Sequence, residues 1–337
     1  MQLLRVTVPS LHGLCIAAAI IIMMFYAFYY SSEKKYDAST LMYIAPAAIF
    51  FGFAGARLIY VIICDQEYVD AADKWKLTDG GYSLFGATAG VVFAVVLYWL
   101  LTKRRAKLLP VFDTLSASAP LAIAVGRLGS VFSESCYGEA VGSDGLKFFP
   151  ISIFSKTDME FHYAVFFYEA LWCVLVFFLI RLAEKKLNRR GVATYMFAVL
   201  YCAARSVLES MRIDSMYIFF VRFSQVIAIF TVIGAFIWMS VKLVRKTKFK
   251  PLYIISYVVF TASFVIAFFS EFYMYSSSKV WNTVKILLCC IVMAATALYI
   301  GLYYLYVTKK KKKRIKASQD KTRQFNRVVP AKENKDS

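Results

Sequence analysis

Charge is scarce in this chain. Only 18% of its 337 residues are Asp, Glu, Lys or Arg, against about a quarter in soluble globular proteins. That shortage excludes an ordinary cytosolic enzyme. Glycine (15) and proline (7) are also few, which excludes a collagen-like or low-complexity chain. There are two histidines, and the seven cysteines (15, 64, 136, 173, 202, 289 and 290) form no CxxC pair. The composition therefore offers no metal centre, and no cofactor-binding motif is read. Most of the cysteines lie in apolar runs, where a thiol behaves as a small hydrophobe.

What is abundant is apolar surface. Hydrophobic residues make up 60% of the chain, with 30 Phe and 23 Tyr, and the mean hydropathy is +0.59. A membrane-crossing helix needs about 20 mostly apolar residues. Nine runs meet that length, near 11–30, 41–64, 83–102, 110–132, 161–180, 191–210, 221–241, 252–270 and 286–307. The fold class expected is all-α, a polytopic membrane bundle. The net charge of +19 sits in the connections and the tail. No basic domain is left to fold around nucleic acid, and membrane lipid is the partner expected. The first run lacks a strong basic cluster before it and a small-residue cleavage site after it, so it is expected to stay as a span.

The basic residues also predict orientation. With the N-terminus outside, the inner segments 31–40, 103–109, 181–190, 242–251 and the tail beyond 308 hold 28 of the 40 Lys and Arg. That asymmetry predicts an N-out, C-in chain. The outer segment 65–79 is acidic, with Asp65, Glu67, Asp70, Asp73 and Asp79. The tail 309–337 opens with a lysine run and is expected to be a disordered stop-transfer anchor that attracts anionic lipid.

Charges within spans need a reason, because each costs at least ~2.5–3 kcal/mol to insert. The candidates are Arg57, Asp113, Arg127, Glu169, Arg205 and Glu209. Arg205 and Glu209 are one helical turn apart, and Arg212 continues their face. Buried ion pairs that lock helix packing would account for some of these residues. Three intramembrane arginines exceed that need. Guanidinium forks suit phosphate, and the abundant phosphate of a bilayer is a phospholipid head group.

Two polar, glycine-bearing segments interrupt the apolar pattern at the outer side. One is Gly80–Gly86, at the entrance of the third run. The other is Gly126–Glu139, which carries Arg127, Gly129, Ser130, Ser133, Glu134, Tyr137 and Gly138. Glycine at a span end permits unwound backbone and close ligand approach.

These residues resemble the prolipoprotein diacylglyceryl transferase family. Gly55–Ala56–Arg57–Leu58 with Tyr60 is similar to its GARL motif. Gly80–Gly81–x–Ser83–x–x–Gly86 resembles its GG-x-S-x-H-G loop. Asp113 and Pro120 leading into Gly126–Arg127–Leu128–Gly129 resemble its D…P…GRxG signature. Cys136–Tyr137–Gly138 is similar to a CYG ending, and Tyr168–Glu169 to the end of HPxxxYE. Tyr201, Arg205, Glu209 and Arg212 fit its Y-x-x-x-R-x-x-x-E-x-x-R helix, and Gln225 falls where a later motif would. The resemblance covers roughly residues 10–240. Departures are Phe85 at the loop histidine, Ser130 and Ser133 at asparagines, His12 in an early Tyr-Gly pair, and His162 one residue out of place.

The resemblance implies transfer of the diacylglyceryl group of phosphatidylglycerol to the lipobox cysteine thiol of a prolipoprotein signal peptide, on the outer side of a bacterial plasma membrane. It implies catalytic roles for Arg127, Arg205, Tyr201 and Glu209, with Asp113 fixing Arg127. It implies substrate-binding roles for Arg57, Gly81, Ser83, Asp113, Gly126, Gly129, Ser130, Ser133, Glu134, Gly138, Glu169 and Arg212. Tyr201, Glu134, Glu139, His12 and His162 are candidate helpers for thiol deprotonation. A transferase-like core at 1–245, two added helices at 246–308 and the tail at 309–337 are expected. Two alternatives remain open: a relative with a changed acceptor or lost chemistry, and a transporter.

The orientation is checked by fusion reporters. A fluorescent protein at the C-terminus should light up, and a phosphatase inserted within 65–79 should be active. The reverse pattern would overturn the N-out, C-in reading.

Overall fold

In bilayer hydrocarbon no water is present to satisfy backbone N–H and C=O groups, so apolar runs must close their hydrogen bonds internally as helices. The computed structural model follows that rule. It describes residues 11–64, 81–103, 107–187, 189–218, 221–245, 251–272 and 279–328. Among them the helices are α1 (Leu11–Lys34), α2 (Ala38–Ile63), α3 (Leu84–Leu101), α4 (Leu108–Leu128), α5 (Val165–Leu187), α6 (Val192–Ser210), α7 (Phe223–Val244), α8 (Pro251–Phe272) and α9 (Lys279–Val328). Eight of the nine are long and apolar enough to cross a membrane, and the described part of α8, Tyr253–Ala267, is a shorter apolar helix. The fold is an all-α, multi-pass membrane bundle.

The run expected at 110–132 is not one helix. α4 stops at Leu128 and tightens into a 3-10 turn over Gly129–Ser133. The fifth run starts in a strand: β1 (Ser152–Phe154) and β2 (Phe161–Tyr163) pair antiparallel before α5 begins. Where a disordered tail is expected from Lys309, α9 continues as helix to Val328. Lys, Arg, Ala and Gln are good helix formers, and extending an existing helix needs no new nucleus.

α6 is the axial helix. In its apolar window 78% of residues are buried, against at most 44% in any other span. It packs against α4, α5, α7 and α9. One apolar core joins Val199 and Ala203 of α6, Val232 and Phe236 of α7, and Ala297 and Ile300 of α9. The outward faces carry Phe25, Phe50, Leu101 and Phe178, all exposed, as lipid-facing positions require.

α2 and α3 form a tight pair. A Cβ on Gly90 would lie 1.9 Å from the Phe51 carbonyl oxygen, and one on Gly86 would lie 2.4 Å from the Gly55 oxygen. Backbones this close suit a membrane, where small residues let helices meet. Ser83 begins α3 by accepting a hydrogen bond from the Gly86 amide at 3.3 Å.

Asp113 corrects an expectation. It is buried near the start of α4, fourteen residues from Arg127, roughly 21 Å along the helix. Its carboxylate accepts from the Gly191 amide, from the Thr194 amide at 3.1 Å and from the Thr194 hydroxyl at 2.8 Å. It caps the first turn of α6 from a neighbouring helix and does not fix Arg127. Replacing Asp113 by Ala strands the buried Gly191 amide and the two half-buried Thr194 donors and should cost about 1–3 kcal/mol, read as a lowered unfolding midpoint in detergent. An unchanged midpoint would contradict the capping role.

Candidate functional site

The end of the bundle where α4 and α6 finish and α5 begins holds an ion-paired cluster. Glu169 stands near the start of α5. Its Oε2 is 2.9 Å from Arg127 Nε and 2.8 Å from Arg205 Nη1. Its Oε1 accepts from the Tyr201 hydroxyl at 2.8 Å. Arg205 Nη2 is 2.7 Å from Glu209 Oε2, and Arg212 Nη1 reaches that same oxygen at 3.5 Å. The one-turn spacing of Tyr201, Arg205 and Glu209 on α6 turns all three toward α5.

Local backbone favours the sign of Arg127. It lies in the last turn of α4, where the carbonyl ends of the helix attract a cation. Glu169 lies past the first turn of α5, so the arginines themselves balance its charge. Glu169 and Glu209 each leave only 1% of the side chain exposed, and Arg205 leaves 3%. Arg127, at 15%, is the most open of the three arginines. Arg205 Nε is buried with no hydrogen-bond partner among the described residues, and so is Gln225 Oε1 at the start of α7.

Loops cover this end. Gly138 bridges Arg212, and Ala140 bridges His162 on β2. A Cβ on Gly138 would press on Tyr163 at 2.8 Å and Val165 at 2.9 Å, so only glycine lets these strands meet. Two residues not expected at the site, Asp214 and Cys136, tie the cover to the cluster. Asp214 accepts from the Cys136 amide at 2.9 Å and from Arg212 Nε at 2.9 Å. Burial pushes the Asp214 carboxyl up, but the hydrogen bond and charge of Arg212 outweigh it and hold it below the usual carboxylate range. Cys136 Sγ accepts from Arg127 Nη1 at 2.8 Å. The only signal for Asp214 was its place two residues beyond Arg212.

Other expected residues lie elsewhere or do other work. Glu134 accepts from the hydroxyls of Ser155 (2.9 Å) and Thr157 (2.8 Å) and from the Lys156 amide at 3.2 Å. Its carboxylate clasps the loop leading out of β1, and those contacts take up both of its oxygens. His162 is held between the Gly138 carbonyl (2.9 Å) and Asp158 (2.7 Å), which engages both ring nitrogens within the cover. Ser130 is buried, while Ser133 Oγ pairs with Ser135 Oγ at 2.7 Å. Gly129 lets the turn approach α1, because a Cβ there would meet Cys15 at 2.5 Å. Gly126 has no such crowding, its nearest neighbour being Ala19 at 3.9 Å.

Arg57, Gly81 and Ser83 form a second group at the mouth of the α2–α3 pair. Arg57 Nη1 donates to the Gly81 carbonyl at 3.2 Å, and its guanidinium lies 5.9 Å from the Tyr82 ring. Gly81 adopts φ +71°, and a Cβ there would strike Tyr60. Phe85, on the first turn of α3, packs on the central apolar core. Gly80 lies outside the described residues. A larger groove of about 610 Å³ between α7 and α8 is walled by Phe236, Tyr257 and Phe260. It is apolar and lies toward the other end of α7.

These observations define a class: a polytopic helical membrane protein with a buried, arginine-rich site capped by loops at one end. The chain belongs to the prolipoprotein diacylglyceryl transferase family, whose family model matches residues 2–241. It is 31% identical over 183 residues to the phosphatidylglycerol–prolipoprotein diacylglyceryl transferase of Thermotoga petrophila, covering 53% of this chain and 62% of that one. To the enzyme of the same name from Streptomyces griseus it is 31% identical over 221 residues, covering 64% and 65%. To that of Clostridium botulinum it is 28% identical over 222 residues, covering 64% and 84%. The matched segment thus spans less than two thirds of the Thermotoga and Streptomyces proteins. α8 and α9 lie wholly beyond the residues that the family model matches.

The Glu134 clasp is acid-sensitive. The Thr157 and Ser155 hydroxyls and the Lys156 amide hold its carboxyl below the usual glutamate range. A depressed folded value means the clasp is intact above the ordinary value of about 4.3 and is lost as pH falls through the depressed one. Hydrogen-exchange protection in 134–163, taken against the intrinsic rate at each pH, should therefore be steady from pH 7 to about 5 and fall in acid, and Glu134→Gln should lower it at neutral pH. Protection unaffected by either change would contradict the clasp.

Proposed function

We propose that this protein moves the diacylglyceryl group of phosphatidylglycerol onto the thiol of a lipobox cysteine in a prolipoprotein, on the outer side of a bacterial plasma membrane. Family membership supports the reaction, and the names of the relatives supply donor and acceptor. The observation that carries the assignment of residues is the convergence of Arg127 and Arg205 on Glu169, with the buried Arg205 Nε lacking an acceptor. Two guanidinium forks beside an unfilled donor suit a phosphate anion.

In the proposed step the thiolate sulfur attacks the glycerol carbon that bears the phosphate. A carbon–sulfur bond forms and the carbon–oxygen bond breaks. The electron pair leaves on the phosphate ester, released as glycerol phosphate, and the thiol proton goes to a base or to that leaving group. Negative charge grows on the departing oxygen, so cations aimed there stabilise the transition state. Arg127 and Arg205 take that role as the catalytic residues. Glu169, Glu209 and Tyr201 are positioning residues, because their polar atoms are committed to the guanidinium groups and to each other. Arg212 extends the positive row. Arg57, Gly81 and Ser83 at the α2–α3 mouth, and Gly126, Gly129, Ser130, Ser133 and Gly138 near the cover, border the approach of the lipid.

Phe85 favours a second reading. An apolar side chain in the core stands where the family motif has a histidine, which fits a relative that keeps the lipid site with a changed acceptor or no transfer.

The test supplies purified protein with phosphatidylglycerol and a lipobox peptide and follows the peptide mass. A diacylglyceryl gain is expected, and Arg127→Lys or Arg205→Lys should lower kcat about 10²–10³-fold. Lysine keeps the charge but loses the fork. No gain with arginine-dependent lipid binding would establish the second reading. Gain unaffected by either substitution would remove both arginines from the site.

A further inference from the structure

At the opposite end of the bundle a cavity of about 300 Å³ opens between the α1–α2 connection and the start of α4. It is bordered by Lys35, Lys107 and Arg190 together with the hydroxyls of Ser31, Thr40 and Thr114. Val111, on its wall, is sixteen residues from Arg127, roughly 24 Å along α4. The cavity is therefore separate from the cluster around Glu169. We propose that it binds the phosphate group of an anionic phospholipid or of a soluble phosphate ester.

Three cations reach the cavity from three connections of the chain, before α2, before α4 and before α6. None of them forms an ion pair among the described residues. Basic residues next door behave differently. Arg181 is 2.6 Å from Glu33, and Lys34 is 3.7 Å from Glu184. Charge on this end of the protein is thus neutralised where it serves packing, and left over at the cavity. The one acid on its wall, Asp37, is already occupied. Its oxygens accept from Ser39 Oγ at 2.6 Å and Thr40 Oγ1 at 2.8 Å while it caps α2.

The remaining groups shape the site. Arg190 lies 5.6 Å over the Tyr36 ring, which fixes the guanidinium beside the cavity. Lys107 precedes α4 without a side-chain cap, so the positive dipole end of α4 lies beside the cavity that Lys107, Pro110 and Val111 border. Ser31 and Thr114 are buried 3.3 Å from each other, with Thr114 Oγ1 donating to the Pro110 carbonyl at 2.9 Å. A tetrahedral dianion or monoanion meets cations on three sides, with Ser31 behind. In the N-out orientation this end lies in the inner leaflet, where anionic head groups gather. The inference does not depend on the proposed transfer reaction.

Native mass spectrometry of the full chain in detergent tests it, with dioctanoyl phosphatidylglycerol, dioctanoyl phosphatidylcholine and inorganic phosphate as probes. The variants are Lys35→Gln/Lys107→Gln/Arg190→Gln and the single Arg190→Gln. These side chains are exposed, so the fold should persist, and the unfolding midpoint confirms it. Wild type should carry one more tightly held phosphatidylglycerol than the triple variant, and the single variant should weaken that extra ligand about tenfold. A count of two against one supports both this site and the outer one. One against none supports this site alone and counts against the outer one. Phosphate that binds wild type but not the triple variant shows that the free anion suffices, and binding of the lipid alone shows that the head group needs its chains. Equal counts in wild type and triple variant, or equal binding of phosphatidylcholine, overturn the proposal.

Discussion

A single carboxylate holds together the end of the bundle where α4 and α6 finish. Glu169 binds two guanidinium groups on one oxygen and a phenol on the other, and it does so with almost no exposure. Burying one charge in a bilayer protein is costly, and burying a pair is tolerated only when its remaining donors and acceptors are filled. The network meets that demand by extension. Glu209 balances Arg205, Asp214 balances Arg212, and the Asp214 carboxylate reaches the backbone of the covering loop. Three helices and a loop are thereby fixed by one alternating row of charges. The donor left over, Arg205 Nε, lies in the middle of it.

The row needs α6 to be rigid, and one of its supports comes from beyond the matched family residues. Tyr195 of α6 donates to the Ala297 carbonyl of α9. A Cβ on Gly301 would lie 2.1 Å from the Tyr195 ring, so glycine admits the contact. Higher on the same face, Ser206 meets Cys290 at 2.9 Å. α9 therefore bears on α6 at both levels, close behind the face that carries Tyr201 and Arg205. The Asp113 cap fixes the opposite end of α6. Central burial, a cap from α4 and a brace from α9 together define where the arginines stand.

Much of the architecture was legible in the sequence because hydrophobic runs of membrane length have few alternative structures. Span positions, and the shared face of Arg205 and Glu209, follow from period alone, whereas α6 ends at Ser210 and Arg212 reaches Glu209 from the bridge with Gly138. The cross-helix partners did not. Nothing in one chain says that Glu169 meets Arg127 and Arg205, or that Asp113 serves the α6 amides, since those contacts depend on how helices rotate against one another. The covering loop was the least legible part. Its strands are three residues or fewer, too short for an alternating pattern to show, and Glu134 and His162 looked chemical because their partners lie on neighbouring turns of that loop. The break at Leu128 was signalled by Gly126 and Gly129, although only Gly129 is crowded enough to require the absent side chain.

The central claim is that Glu169 positions the arginines for a phosphate, beyond neutralising them. Glu169→Gln tests it most directly, because the amide keeps the shape and removes the charge. Steady-state transfer to a lipobox peptide, measured beside the unfolding midpoint, separates the two roles. The variant should stay folded while kcat falls at least about tenfold with a smaller change in KM, since the guanidinium groups lose the aim that the transition state requires. Full activity in a folded Glu169→Gln protein would contradict it.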